Sequence, residues 1–341
     1  MPQPVEGNPC LWTPGVKYGV RPGSYTHMTE FFGPVLAVMR FETLAEAVAL
    51  VNQTGYGLTS GLESLDEREW DYWKAHIRAG NLYINRVTTG AVVLRQPFGG
   101  MGKSGFGPGM KAGGPNYVAQ FMDFEDVPAT STGAAPGRAT LAALHAGLSA
   151  DRESGDERIL AAVASYELSW REEFGVEHDH FRLVGQDNLR RYLPVGSVRV
   201  RVHPDDSAFD VFGRAAAAHA AGCAVVISTP PGLASPAVAR LERLTESWAA
   251  AIEFVEESDA QLAQAILDGQ VDRVRYAAPE RPSLEVLRSG NAANGCVVSV
   301  PVSAEGRLEM LWYLREQSIS VDYHRYGNLG NRADEPRAEV P

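Results

Sequence analysis

Gln96-Pro-Phe-Gly-Gly-Met-Gly-Lys-Ser-Gly-Phe-Gly-Pro-Gly109 decides how this 341-residue sequence is read. Two phosphate-binding motifs come close to fitting it, and both fail. Gly102-Lys103-Ser104 has the ending of a P-loop, but the first glycine of that motif would fall at position 97, which is Pro. Gly100, Gly102 and Gly105 satisfy G-x-G-x-x-G. However, Arg95-Gln-Pro-Phe98 does not read as a strand end, and Gly107-Pro-Gly109 cannot open a helix. What remains is a tight loop with many positions open to positive φ.

Upstream of the loop the chain alternates. Residues 35–39 form a short apolar run, and Thr43 and Glu46 make a capping-box pattern before the periodic Leu44, Ala47, Val48 and Val51. Gly55-Tyr-Gly57 stops that helix. Residues 65–78 read as a charged amphipathic helix with Trp70, Trp73 and Ile77 on one side, and 81–85 as the next strand. Downstream, 126–138 is rich in Pro, Gly, Ser and Thr, as a linker is. Helices are expected near 139–149 and 157–173. A second alternation follows, with strands at 198–202, 223–228, 252–255, 271–276 and 296–300. Its helices are expected at 207–221, 235–250, 259–268, 283–289 and 307–316. The expected fold class is α/β: a partial sheet before the linker, then a second, Rossmann-like doubly wound unit over 139–330. Residues 331–341 are polar and expected to fray.

Composition supports two units and narrows the chemistry. Apolar residues make up 45% and charged residues 21% of the chain, and the net charge is −11. An acidic chain is a poor match for nucleic acid, whose phosphates favour a basic surface. Residues 1–125 hold 10 basic and 11 acidic side chains, all four lysines and 18 of the 34 glycines; the remainder holds 21 and 31 charges. No apolar run reaches the length of a membrane span, and the opening Met-Pro-Gln-Pro does not read as a signal peptide. Cys10, Cys223 and Cys296 are too far apart for a disulfide framework or a zinc site, so a reducing cytoplasm is expected.

Set beside its neighbours, the glycine-rich loop acquires a pattern. Thr29-Glu-Phe-Phe-Gly-Pro-Val35, Gly80-Asn-Leu-Tyr-Ile-Asn-Arg86 and Pro97-Phe-Gly-Gly100 follow one another in the order and spacing of the aldehyde dehydrogenase superfamily. Asn85-Arg-Val-Thr-Thr-Gly-Ala91, Phe106-Gly-Pro-Gly109 and Lys111-Ala-Gly-Gly-Pro-Asn-Tyr117 narrow the resemblance to one branch. That branch is the L-glutamate γ-semialdehyde (1-pyrroline-5-carboxylate) dehydrogenase module of the bifunctional proline utilization A enzymes. It covers residues from about 8 to 125. The second unit resembles the extra, non-catalytic C-terminal domain of the longer members. Gly185-Gln-Asp-Asn-Leu-Arg-Arg-Tyr-Leu-Pro194, Thr245-Glu-Ser-Trp-Ala249, Tyr313-Leu-Arg-Glu-Gln-Ser-Ile-Ser320 and Tyr323-His-Arg-Tyr-Gly-Asn-Leu-Gly330 carry that likeness.

The resemblance implies roles for particular residues. Glu30 aligns with the glutamate that accepts hydrogen bonds from the nicotinamide ribose of NAD, as an acceptor-only carboxylate can from two hydroxyls. Phe32 aligns with the aromatic beside the nicotinamide. Thr89, Gly90 and Ala91 lie where the branch anchors the α-carboxylate of L-glutamate γ-semialdehyde on backbone N–H groups, and Phe106 would wall the aliphatic part. Read without the family, Glu30 is a solvated charge, Phe32 a core residue, Thr-Gly-Ala a turn and Phe106 a loop anchor.

The family's chemistry also needs a cysteine thiolate that forms a thiohemiacetal, passes hydride to NAD and leaves a thioester for water. The nucleophile, the glutamate base and the dinucleotide-binding domain belong upstream of the Glu30 motif. No catalytic residue is therefore expected in this chain. Asn8-Pro-Cys-Leu-Trp12 lacks the nucleophile's context. FAD would belong only to a fused proline dehydrogenase domain, absent here. The expectation is a part of a dehydrogenase whose partner is its upstream half, in the same chain or a separate one, and whose parent is a homo-oligomer. The chain alone should be inactive. A capping or assembly module for a partner dehydrogenase is the alternative, and an independent nucleotide-binding protein a third.

Other candidates are weaker. His203-Pro-Asp-Asp206 and Ser228-Thr-Pro-Pro-Gly232 follow strands but lack phosphate-binding glycines, and two aspartates would repel pyrophosphate. Glu177-His-Asp-His180 has no third ligand nearby in sequence. His324 has no nucleophile beside it. Trp312, Tyr313, Tyr323, Tyr326 and Leu329 make the end of the chain unusually aromatic, as a last core helix and strand or a docking tail would.

Overall fold

The computed structural model describes residues 2–127, 135–293 and 295–337. Positions 128–134 of the expected linker and 338–341 of the expected frayed end lie outside them. The fold is α/β, and the second alternation forms much as its pattern predicts. Five parallel strands lie in the order Ile252–Glu256, Ala224–Thr229, Ser197–Arg201, Arg273–Arg275, Cys296–Val298. The chain builds outward from Ser197–Arg201 on one side and then returns to its other side, the doubly wound arrangement. Ser207, Ser235, Ser258 and Ser283 cap the helices Ala208–Ala220, Pro236–Leu244, Asp259–Leu267 and Leu284–Ala292, and Ser207 and Ser258 complete capping boxes with Asp210 and Gln261. Helices Ala139–Ala150 and Asp156–Ser169 pack on this unit, the latter running into a π turn at Trp170–Phe174. One apolar core unites them, with Leu141, Leu144, Tyr166, Phe212 and Tyr313 among its members.

The first region is built from short pieces. Gly15–Lys17 pairs in parallel with Val35–Ala37, and Tyr56–Gly57 pairs antiparallel with Met101–Gly102. Helices Leu44–Gln53 and Glu67–His76 start at Thr43 and Asp66 as N-caps. Strands Thr59–Leu62 and Asn81–Ile84 run parallel, but they do not form a sheet of their own. Leu314–Asp322 pairs in parallel with Asn81–Ile84 and antiparallel with Gln186–Pro194, giving the order Thr59–Leu62, Asn81–Ile84, Leu314–Asp322, Gln186–Pro194. A four-stranded sheet thus crosses the division expected at 126–138. Ile319 and Val321 sit in one apolar cluster with Val48, Trp73, Ile77, Leu82 and Ile84.

Three expectations are corrected. The helix expected at 307–316 stops at Glu309, passes through a 3-10 turn at Met310–Tyr313 and becomes the Leu314–Asp322 strand, because pairing on both edges outweighs local helical preference. The helix expected at 235–250 ends at Leu244; Glu246–Ala251 is 3-10 and broken by Ala249 at φ 47°. Residues 331–337 are not frayed. Arg332 donates to both carboxylate oxygens of Asp187 at 2.9 and 3.0 Å and lies 3.7 Å over the Tyr323 ring, and Arg337 pairs with Asp187 at 2.8 Å. Tyr323 Oη accepts from the Gly185 N–H at 2.8 Å, so this part of the aromatic end folds back on the chain's own strand. Gln186–Pro194 itself was anticipated only as a motif, not as a strand.

Candidate functional site

Glu30 and Phe32 share the loop between Thr29, the C-cap of the Tyr25–Met28 helix, and the Val35–Ala37 strand. Glu30 is exposed and lines a groove of about 760 Å³ whose walls include Thr26, His27, Met39, Leu44, Val48 and Ser104. Phe32 is 94% exposed with φ 48°, a left-handed conformation that bulky side chains seldom adopt and that marks local strain. It lines a second groove, of about 650 Å³, with Leu11, Trp12, Phe31 and Val35. Thr26 belongs to both grooves, so the loop stands between them. An open carboxylate two residues from an open aromatic ring suits a sugar diol and a flat heterocycle, and these residues fit the NAD roles that the resemblance implies.

Thr89, Gly90 and Ala91 are exposed at the tip of the loop after Asn81–Ile84, with Gly90 at φ 79°. Phe106 is 96% exposed on the glycine-rich loop. The structure therefore joins Glu30 with Phe32 on one loop, and sets Thr89–Ala91 and Phe106 on two other exposed loops.

The glycine-rich loop does not cradle phosphate. Lys103 donates from its backbone to the Gly55 carbonyl at 2.8 Å and from Nζ to the Thr54 carbonyl at 3.0 Å, and stands 5.1 Å over the Tyr56 ring. Close backbone approach explains the glycines: a Cβ on Gly102 would collide with the Gly55 carbonyl oxygen, and one on Gly80 with that of Gly99. Beside Gly80 lies Lys111, buried, whose Nζ donates to the Gly80 carbonyl and whose backbone N–H donates to Glu316 Oε2 at 3.1 Å. Burial pulls the Lys111 ammonium down to about 7, against the attraction of Glu316, and burial raises the Glu316 carboxyl.

The remaining candidates resolve into structural roles. Cys223 is buried, donates to the Tyr313 carbonyl at 3.4 Å, and its thiol is pushed up to about 12 by burial, which makes it inert as a nucleophile. Cys10 is exposed and Cys296 half-buried. At the switch point of the five-stranded sheet, Asp206 takes Arg214 and Arg281 as ion-pair partners, while Arg214 also donates to the carbonyls of Arg201 and Arg275 at 2.8 and 3.0 Å. The chain's own guanidinium groups thus occupy the Asp206 carboxylate at the edge where such folds bind ligands. His178 bonds the Glu173 carbonyl at 2.8 Å and His180 faces Arg190 at 3.2 Å; no group with metal-binding geometry occurs among the described residues. Among the same residues, no helix is long and apolar enough to cross a membrane.

Sequence reasoning missed a buried polar seam between the regions. Arg86 and Gln96 meet Ser320 and Asn188 there, Gln317 donates to the Ala79 carbonyl at 2.8 Å, Ser318 to that of Pro97 at 2.5 Å, and Arg273 to that of Pro108 at 2.6 Å. The signal available was position. Gln96 opens the glycine-rich stretch, Arg86 closes the Gly80 motif, and Asn188 and Ser320 lie within two motifs of the second unit.

Residues 2–127 match the Aldehyde dehydrogenase family. The bifunctional protein PutA of Rhizobium meliloti is 33% identical over 306 residues, covering 86% of this chain and 23% of that protein. N-succinylglutamate 5-semialdehyde dehydrogenase of Vibrio cholerae is 55% identical over 76 residues, 22% of this chain and 16% of that protein. Among solved structures, proline utilization A (PutA) from Corynebacterium freiburgense superposes with a TM-score of 0.70 at 33% identity, over 96% of this chain and 29% of that one. The chain spans about a quarter of the length of these PutA relatives. Residues 2–127 are thus an aldehyde dehydrogenase family domain, and over nearly its whole length the chain is a homologue of part of proline utilization A.

Proposed function

We propose that this chain forms part of an NAD-dependent dehydrogenase that oxidises L-glutamate γ-semialdehyde to L-glutamate in proline catabolism. The observation that carries the reading is the Glu30–Phe32 loop. Within the segment matching the aldehyde dehydrogenase family, it presents an open carboxylate and an open aromatic ring over two grooves. NAD, when bound, supplies the hydride acceptor. Glu30 accepts hydrogen bonds from its ribose and Phe32 packs against the nicotinamide. The backbone N–H groups at Thr89–Ala91 hold the substrate carboxylate as a small anion nest, and Phe106 covers its methylene chain. The thiolate that attacks the aldehyde comes from the partner half of the dehydrogenase: Cys10 lacks the nucleophile's sequence context, Cys296 sits half-buried at a strand start, and Cys223 is buried and held protonated. Residues 1–125 act as the end of the dehydrogenase module, 139–330 as its non-catalytic companion, and the parent as a cytoplasmic homo-oligomer.

The test is semialdehyde-dependent NADH formation. The chain alone yields none, whereas the intact enzyme that contains it does, and Glu30→Ala there raises the KM for NAD. Turnover by the chain alone, or an unchanged KM for NAD in that variant, overturns the reading. The alternative, a module that assembles on a separate dehydrogenase, draws on the exposed apolar side chains of residues 11–127. Co-purification of the chain with such a dehydrogenase distinguishes it.

A further inference from the structure

The loop between Arg86 and Gln96 is fastened at both ends to one hydroxyl of the second unit. Ser320 and Asn188 stand opposite each other in the antiparallel pairing of Leu314–Asp322 with Gln186–Pro194, and both are buried. Arg86, on the incoming leg, donates from Nη1 to Ser320 Oγ at 2.6 Å. Gln96, on the outgoing leg, donates from Nε2 to the same Oγ at 3.2 Å and to Asn188 Oδ1. Ser320 Oγ in turn donates to Asn188 Oδ1 at 2.9 Å, and Asn188 Nδ2 donates to Gln186 Oε1 at 3.0 Å. Gln96 carries the constraint into the loop itself: its Oε1 accepts the Val92 N–H at 2.9 Å, and its own N–H donates to the Val92 carbonyl at 2.8 Å. The Leu94 N–H donates to the Gly113 carbonyl at 3.0 Å, and Leu94 has φ 64°. Residues 87–94, by contrast, are all exposed. An open loop whose two roots converge on a buried, hydrogen-bonded pair is one whose tip position is set at the roots.

We propose that Ser320 and Asn188 are positioning residues for the 87–95 loop. Through them the second unit sets how well the backbone N–H groups of Thr89–Ala91 converge on the substrate carboxylate. The anchoring stands on the geometry alone; its effect on substrate rests on the proposed function. Neither residue touches the loop tip. Their influence passes through Arg86 and Gln96, so removing the hydroxyl should weaken carboxylate binding while leaving the cofactor side at Glu30 and Phe32 unaffected.

Two measurements on Ser320→Ala test this. The first is hydrogen–deuterium exchange in the chain itself. The Val92 amide should exchange about ten-fold faster, the loss of a typical buried hydrogen bond, while the amides of Asn81–Ile84 keep their protection. Ser320→Thr, which restores a hydroxyl, should bring exchange back toward the original rate. Unchanged exchange at Val92 in a folded Ser320→Ala chain overturns the proposal. If that variant does not fold, Arg86→Ala, at a half-buried side chain, releases one leg, and faster exchange over 87–89 is then the supporting result and unchanged exchange the overturning one. The second measurement is kinetic, in the intact enzyme that contains this chain. KM for the semialdehyde should rise about ten-fold, with kcat and the KM for NAD within two-fold. Faster exchange with an unchanged semialdehyde KM removes the substrate part of the proposal and the reading of Thr89–Ala91 with it, while the anchoring stands.

Discussion

Tyr18, Phe32 and Phe106 in the first region are 78%, 94% and 96% exposed, whereas Tyr166, Phe174 and Phe212 in the second are at most 1% exposed. Among the described residues, all but seven of the exposed large apolar side chains lie before residue 128. The two regions have similar turn chemistry and caps, so the difference is not one of local order. It lies in what each has to pack against. The second region closes a core from its own helices and parallel strands. The first closes only a small cluster, and it borrows Ile319 and Val321 to do so. The first region's candidate ligand groups sit on the open side.

The contrast can be broken by substitution. Phe212→Ala in the second core should cost about 3–5 kcal/mol in denaturant unfolding, since a fully buried ring leaves a cavity. A loss below 1 kcal/mol would show that this core is looser than its burial implies. Glu309→Ala should follow at about 3 kcal/mol, because it strands Arg275. Both side chains are buried, paired at 2.9 Å, and Tyr313 donates to the same carboxylate at 2.7 Å. At the seam the effect is smaller and depends on pH. Lys111 binds its proton less tightly folded than unfolded, so between about pH 7 and its ordinary range the unfolded chain holds more protons. Stability should then rise with pH across that window. Glu316, raised instead, acts with the opposite sign just above the ordinary carboxylate range. Lys111→Met should flatten the rise in thermal-unfolding scans at pH 7–10; an unchanged slope would place its origin elsewhere. Smallest of all, Phe106→Ala should change stability by no more than about 0.5 kcal/mol. Its effect should be confined to semialdehyde KM in the intact enzyme. A larger unfolding effect would mean the ring packs where the structure leaves it open.

The sequence made the second alternation readable because its strands are short β-branched stretches, either continuous and apolar as at 223–227 or alternating as at 197–201, with serine-capped helices between them. It concealed the strand that joins the regions. Leu314-Arg-Glu-Gln-Ser-Ile-Ser-Val-Asp322 has Glu316, Gln317, Ser318 and Ser320 at buried positions, where hydrogen bonds across the seam engage Gln317, Ser318, Ser320 and one oxygen of Glu316. A buried polar face erases the apolar alternation on which strand assignment relies. Glu30, Phe32, Thr89–Ala91 and Phe106 take their proposed roles from motif order alone. Arg86, Gln96, Asn188 and Ser320 show their function only once residues more than two hundred positions apart are side by side.

That separation sets the order in which the molecule can be made. As the ribosome emits the chain, Thr59–Leu62 and Asn81–Ile84 emerge as a two-stranded ribbon, too small to be stable alone. Their central neighbour, Leu314–Asp322, is synthesised more than two hundred residues after them. The second unit can begin to collapse during translation, but the first must wait, its apolar faces accessible to chaperones and to other nascent chains. Limited proteolysis of chains arrested before residue 314 should therefore cut readily within residues 59–84, and extension of the chain past Asp322 should close those sites.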